Sequence, residues 1–216
     1  MRVGIIAGGF KPLTSGHFSK ILMSLSTNAQ TILVYSPRSR GDGQDIIPES
    51  NLLRMWDFLT PRLEKLGVTV RRARTTPIKD TFAIIGVVRC ILDSTGRKPD
   101  ETTAKYFGIN PAATGAVLYG SPDDIHGSFG RLIGTPQERM YFGSMYKDQN
   151  LSFCTLSGTE IYVSKGMSEQ GARMLSEVRG TEVRNMLSSL NAEAIKFLPE
   201  FLTEAEKKQM FGILTR

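Results

Sequence analysis

Residues 8 to 21 read GGFKPLTSGHFSKI. Two glycines close a short apolar run, and a Gly-His pair opens a segment in which Phe18, Ile21, Leu22 and Leu25 recur at helical spacing. A strand, a glycine turn and a helix in that order aim backbone N–H groups and the positive end of a helix dipole at one edge of a sheet. That is an anion site. Gly8 and Gly9 let a phosphate approach the main chain closely because no Cβ stands in the way. His17, at the helix start, can aim its ring at such a phosphate while Phe18 faces the core. The Walker pattern and GxGxxG are both absent, so this cradle differs from the two common glycine-rich phosphate loops.

The elements that must position these residues are legible along the chain. RVGIIA (2–7) suits a buried parallel strand and TILVY (31–35) a second, so the first 35 residues read strand, turn, helix, strand, a βαβ unit with a right-handed crossover. Leu52, Trp56, Leu59, Leu63 and Leu66 mark a long amphipathic helix. VTVRRA (68–73) reads as the third strand, 79–93 as a helix, AVLYG (116–120) as the fourth strand and EIYVS (160–164) as the fifth. Residues 121–150, rich in Gly, Ser, Asp and Pro with weak helical signal at 138–146, read as a loop or lid insertion. Val183, Met186, Leu187 and Leu190 predict a further helix, and 192–214 two more, the last opened by a Thr203/Glu206 capping box. The expected fold is α/β: one domain over 1–216, with a doubly wound, Rossmann-like parallel sheet of five strands and C-terminal helices.

At Gly8-Gly9-Phe10-Lys11-Pro12-Leu13-Thr14-Ser15-Gly16-His17 the chain resembles the nucleotidylyltransferase superfamily, whose signature is a strand, Gly-x-Phe-x-Pro-x-His-x-Gly-His and a helix. The first histidine of that signature is Thr14 here, which is similar to a variant in members of phage origin. A second motif of the family, similar to Ser-x-Thr-x-x-Arg at a helix start, holds the β- and γ-phosphates of the nucleoside triphosphate. Arg179-Gly180-Thr181-Glu182-Val183-Arg184 stands at that place. Thr181 and Arg184, three apart, share a helical face opposite the apolar stripe of Val183, Met186 and Leu187. Weaker echoes are Pro48 with Arg54, Phe197-Leu198-Pro199, and Tyr119-Gly120-Ser121-Pro122-Asp123-Asp124, similar to a Gly-Ser-Asp loop whose Asp binds ribose hydroxyls; turn capping is the alternative for that Asp.

The resemblance implies a fold of the nucleotidylyltransferase type and transfer of AMP or CMP from an NTP to a phosphorylated small molecule, with pyrophosphate released. ATP is the expected nucleotide, with CTP open, and nicotinamide mononucleotide the expected acceptor, with choline or glycerol phosphate open. His17 would stabilise charge on the α- and β-phosphates, Thr14 would orient a phosphate, Lys11 would contact either substrate, and Thr181 and Arg184 would hold the leaving pyrophosphate. Gly8, Gly9, Phe10, Gly16, Gly120, Ser121 and Asp123 complete the implied nucleotide site. Mg2+ is the implied cofactor, bridging the phosphates, with no protein metal ligand singled out. The rival reading is an inactive relative that binds nucleotide in a structural or regulatory role.

The 216 residues carry a formal net charge of +6, which fits an anionic partner without choosing among anions. The densest basic run, Arg71, Arg72 and Arg74, lacks interleaved aromatics, which disfavours single-stranded nucleic acid and favours a solvated strand edge. Cys90 and Cys154 sit in neither a CxxC nor a Cys/His spacing, so they read as buried free thiols. No apolar run approaches the roughly 20 residues of a membrane span, and no targeting leader is apparent; a cytoplasmic protein is expected, with a homo-oligomer open. Ser164-Lys165-Gly166-Met167-Ser168 only loosely resembles the Lys-Met-Ser-Lys-Ser loop of class I aminoacyl-tRNA synthetases, and 216 residues leave little room for a tRNA-reading domain.

Overall fold

The side chains of Val3, Ile5 and Ile6 are all buried. Since successive strand residues point to opposite faces, a run buried throughout is covered on both faces, which is the environment of a central parallel strand. The computed structural model describes residues 1–37, 47–73, 105–113, 115–124 and 150–216. Its sheet contains β1 (Arg2–Gly8), β2 (Gln30–Tyr35), β3 (Val68–Arg72), β4 (Gly115–Tyr119) and β5 (Asn150–Cys154). The order is β3-β2-β1-β4-β5 with every pairing parallel. Ile5 stands opposite Ile32 on one side and Leu118 on the other.

The chain runs outward from β1 through β2 to β3, then resumes across β1 at β4. In such a sheet, ligands bind beyond the carboxyl ends of the strands where the order reverses. Gly8 ends β1 and Gly120 follows β4, so both stand at that edge of the two strands flanking the reversal.

The helices are α1 (Ser15–Thr27), α2 (Glu49–Lys65), α3 (Thr159–Ser164), α4 (Glu169–Ser176), α5 (Gly180–Ser188) and α6 (Glu204–Thr215), with a 3-10 helix at Ala192–Phe197. Proximity along the backbone divides the chain into two compact units of three segments each. One is Met1–Gly8, Ser24–Ser36 and Gly67–Leu156; the other is Gly9–Met23, Pro37–Leu66 and Ser157–Arg216.

In the first unit Val3, Ile5, Ile32, Val34, Ala116 and Leu118, each two residues from its strand neighbour, form a core with Ala73 and Phe107. A Cβ on Gly4 would lie 1.8 Å from Ser24 Oγ. That position is glycine because the last turn of α1 crosses directly over β1. Ser24 Oγ lies 2.8 Å from Thr31 Oγ1, and Asn28 Nδ2 donates to Tyr119 Oη at 2.7 Å. On edge strand β3, Arg71 Nε donates to Tyr106 O at 2.6 Å and Tyr106 Oη to Arg72 O at 2.8 Å. Arg71 is therefore half-buried and closes a contact with the Tyr106 backbone, unlike the solvated side chain expected, while Arg72 is exposed.

In the second unit Leu52, Trp56, Leu59 and Leu63 make the buried stripe of α2. Leu66 falls just past the helix end and is 41% exposed. Arg62 lies over the Phe58 ring and reaches Glu206 at 2.9 Å, joining α2 to α6. The capping box expected at Thr203 is present, Thr203 N donating to Glu206 at 2.9 Å. That backbone bond and Arg62 hold the Glu206 carboxyl down at about 2.

Three expectations change. Residues 160–164 are not a strand: they lie in α3, and the fifth strand is Asn150–Cys154. Ile161, Tyr162 and Val163 are good strand formers, but Asn-Leu-Ser-Phe-Cys alternates better and takes the place beside β4. Within α3 only Tyr162 is buried, and Val163 is 42% exposed. Leu190, read as part of the helical stripe, follows the end of α5 in the left-handed region, φ 54°. The first of the two helices after residue 191 is of 3-10 type.

Cys154 is a free, half-buried thiol. Cys90, Arg74, the expected helix at 79–93 and the expected lid from 125 onward, with its helical signal at 138–146, lie outside the described residues. No described helix is long and apolar enough to cross a membrane.

Candidate functional site

The site begins with how α1 starts. Phe18 N donates to Thr14 O at 2.9 Å, the first intrahelical bond, and His17 N donates to Thr14 Oγ1 at 3.4 Å, which makes Thr14 the N-cap. In return Thr14 N donates to His17 Nδ1 at 3.1 Å, and the Thr14 hydroxyl stands 2.9 Å from the same nitrogen. This is a reciprocal capping box with histidine in the place usually taken by Glu or Gln. An Nδ1 that accepts from a backbone N–H carries no proton, so the ring proton sits on Nε2.

Thr14 is fully buried and its hydroxyl is engaged with His17. We expect Thr14→Ala to lower unfolding free energy by about 1 kcal/mol, with Thr14→Ser retaining most of it. Urea unfolding measures both; an unchanged midpoint in the alanine variant would show that the hydroxyl does not cap.

Phe10 holds the ring from the side. Its ring lies 5.1 Å from the His17 ring at 84° and 6.0 Å from the buried Trp56 at 68°. Both are edge contacts favoured by aromatic quadrupoles. Phe10 has φ 44°, a conformation that costs a non-glycine residue on the order of 1–2 kcal/mol. Its packing between His17 and Trp56 offsets that cost.

Gly16 brings the second motif to the first. A Cβ there would lie 2.9 Å from Ser176 O and 3.1 Å from Val178 O, both backbone atoms that cannot swing aside. The first turn of α1 is thereby seated against the chain that leads into α5, and Ser15 Oγ donates to Leu175 O at 2.8 Å in the same contact. At the start of α5, Arg184 Nη2 donates to Thr181 Oγ1 at 2.8 Å and Nη1 to Lys11 O at 3.0 Å. A Cβ on Gly180 would stand 3.6 Å from Arg184 Nη1 and 3.7 Å from His17 Cε1. His17 and Arg184, 167 positions apart in the chain, thus meet around one glycine.

Gly9, Phe10, Lys11, Thr14, Gly16, His17, Thr181 and Arg184 belong to the second unit, and the contacts above link all of them but Gly9. Gly8, Gly120, Ser121 and Asp123 belong to the first. There Ser121 Oγ donates to Asp124 Oδ2 at 2.7 Å and Asp124 N returns to Ser121 Oγ at 3.1 Å, a closed turn, while Asp123 is exposed. Pro48 is the N-cap of α2 and Arg54 is exposed on it. The Ser164–Ser168 stretch is structural: Ser164 Oγ donates to Ile161 O and Ser168 caps α4.

The side chains around Gly180 offer the Arg184 guanidinium, the Thr181 hydroxyl and the His17 Nε2–H, hydrogen-bond donors suited to phosphate oxygens. Among the described residues no group of three His, Cys, Asp or Glu side chains could hold a metal ion. A divalent cation wants oxygen ligands, and Mg2+ commonly takes them from phosphates and waters with few from protein.

No protein-family model matches the sequence, and no curated protein matches it. A crystal structure of a candidate nicotinate-nucleotide adenylyltransferase from Vibrio parahaemolyticus superposes with a TM-score of 0.52 over 97% of each chain, at 13% identity. The fold is of the nucleotidylyltransferase type. Thermotoga maritima TmcAL bound with alpha-thio ATP superposes at a TM-score of 0.45 and 15% identity, covering 100% of this chain and 55% of that one.

Proposed function

We propose that the protein is a nucleotidylyltransferase that transfers AMP from ATP to a phosphorylated small molecule. The observation that carries this reading is the meeting of His17 and Arg184 around Gly180, two groups the sequence relates only through one triphosphate. A pyridine mononucleotide is the acceptor we favour; the description of the Vibrio protein supports it, and CTP with choline or glycerol phosphate is the competing substrate set.

In the reaction an acceptor phosphate oxygen attacks the α-phosphorus in line, the bond from that phosphorus to the bridging oxygen breaks, and pyrophosphate departs. Such a transfer needs positioning and neutralisation of charge, with no covalent enzyme intermediate. His17 donates from Nε2 to the phosphate oxygens whose charge grows. Thr14 acts through His17 by fixing its tautomer, a positioning role in place of direct phosphate contact. Arg184, Thr181 and Lys11 hold the departing pyrophosphate, and Gly9 admits the phosphates to the main chain.

The test is a screen of NTPs against phosphorylated acceptors, reading pyrophosphate. ATP with nicotinamide or nicotinate mononucleotide is expected to give the largest signal. Nucleotide binding without label exchange from pyrophosphate into ATP, across the whole panel, would identify an inactive relative and overturn the enzymatic reading.

A further inference from the structure

Tyr162 on α3 has one hydroxyl proton and two acceptors within reach. Its Oη lies 2.8 Å from Ser15 O and 2.6 Å from Glu200 Oε2. A phenol can serve only one of them fully. Glu200 Oε1 is buried without a hydrogen-bond partner, a costly place for a carboxylate and a far cheaper one for the carbonyl oxygen of a neutral acid. Ser15 and His17 share the first turn of α1, and the Ser15 hydroxyl is itself bound to Leu175 O.

We propose that Glu200 is a neutral acid whose proton, on Oε2, is donated to Tyr162 Oη, so that Tyr162 donates to Ser15 O and holds the turn that carries His17. Glu200 and Tyr162 are positioning residues, acting on His17 through the backbone. Burial is the main cause that raises the Glu200 carboxyl above its ordinary 4.5; the Tyr162 hydroxyl, the backbone N–H of Glu200 itself, Lys207 on α6 and Lys165 at the end of α3 oppose it. Burial first, and then the Glu200 charge, raise the Tyr162 phenol, so it stays protonated throughout.

The sign follows. Below its raised value Glu200 is neutral and the chain Glu200 to Tyr162 to Ser15 runs in one direction. As pH rises through that value the carboxylate forms, the Tyr162 proton turns to it, and Ser15 O loses the Tyr162 donor and keeps only its helical one. The contribution to stability is complete below 4.5 and fades as pH rises through the folded-state value.

This inference rests on the reading of His17 as a site residue, but its test needs no catalysis. In protein labelled with carboxyl-13C glutamate and 15N, the Glu200 carboxyl should titrate above 4.5. The amides of Gly16 and His17 should shift with the same midpoint. In Tyr162→Phe the carboxyl still titrates and those amides no longer follow it; in Glu200→Gln, whose amide can donate to Tyr162 as the neutral acid does, they stay at their low-pH positions. A Glu200 carboxyl titrating in the ordinary range, or amides that ignore it in the unsubstituted protein, overturns the proposal whether or not the protein proves to be an enzyme. If it is one, turnover should fall on the order of 10-fold across the same titration, and Glu200→Gln should flatten that limb.

Discussion

Replacing His17 with alanine is expected to lower turnover on the order of 100-fold or more, equivalent to about 3 kcal/mol of transition-state stabilisation. The expectation comes from the tautomer: Thr14 N occupies Nδ1, so the donor offered to phosphate is Nε2, and Phe10 keeps the ring from rotating away. Alanine also removes the acceptor that returns the cap, so some stability is lost together with activity. His17→Glu separates the two, because Glu completes a capping box yet, being acceptor-only when ionised, puts no donor where Nε2 stands. Pyrophosphate release together with urea unfolding gives the answer. Turnover within a few-fold of the unsubstituted protein in both variants would remove His17 from the reaction.

Arg184→Ala should reduce kcat/KM for the nucleotide by about 10- to 100-fold, the worth of a charge-assisted hydrogen bond in a partly enclosed site. Its two outer nitrogens already bind Thr181 Oγ1 and Lys11 O, so the guanidinium is held in place and also ties down the loop before α1. Arg184→Lys is expected to rescue little, since an ammonium cannot reach two such partners with fixed geometry. Titration calorimetry with the triphosphate measures the loss directly. Equal affinity in the alanine variant would mean that the second motif is an ordinary helix start.

Much of the molecule is written in local pattern. The buried runs at 2–7 and 31–35, the stripe of α2 and the Thr203 cap all follow from periodicity and side-chain chemistry acting within one or two turns. The sheet order required more, because strand propensity is a weak guide to which apolar segment is selected. Ile161-Tyr162-Val163 has the composition of a strand, yet its one buried residue is drawn away by Ser15 and Glu200, distant in sequence.

The candidate site divides in the same way. The residue types at 8–17 and 179–184 stand out in the sequence because glycine, hydroxyl and basic side chains at a strand end and a helix start are the set expected of an anion site. The T-x-x-H spacing of Thr14 and His17 also carried a cap signal, obscured by the expectation that Thr14 faces phosphate.

The sequence by itself determined the α/β class, the glycine turn, the Thr203 helix start and the two clusters of glycine, hydroxyl and basic residues, since each depends on neighbours within a few residues. Only the tertiary structure decided that Gly16 lies against Ser176 O and Val178 O, that His17 and Arg184 meet at Gly180, and that the Tyr162 hydroxyl reaches both Ser15 O and Glu200. Those are contacts between segments 38 or more residues apart, formed by packing the whole chain, and no local pattern encodes them.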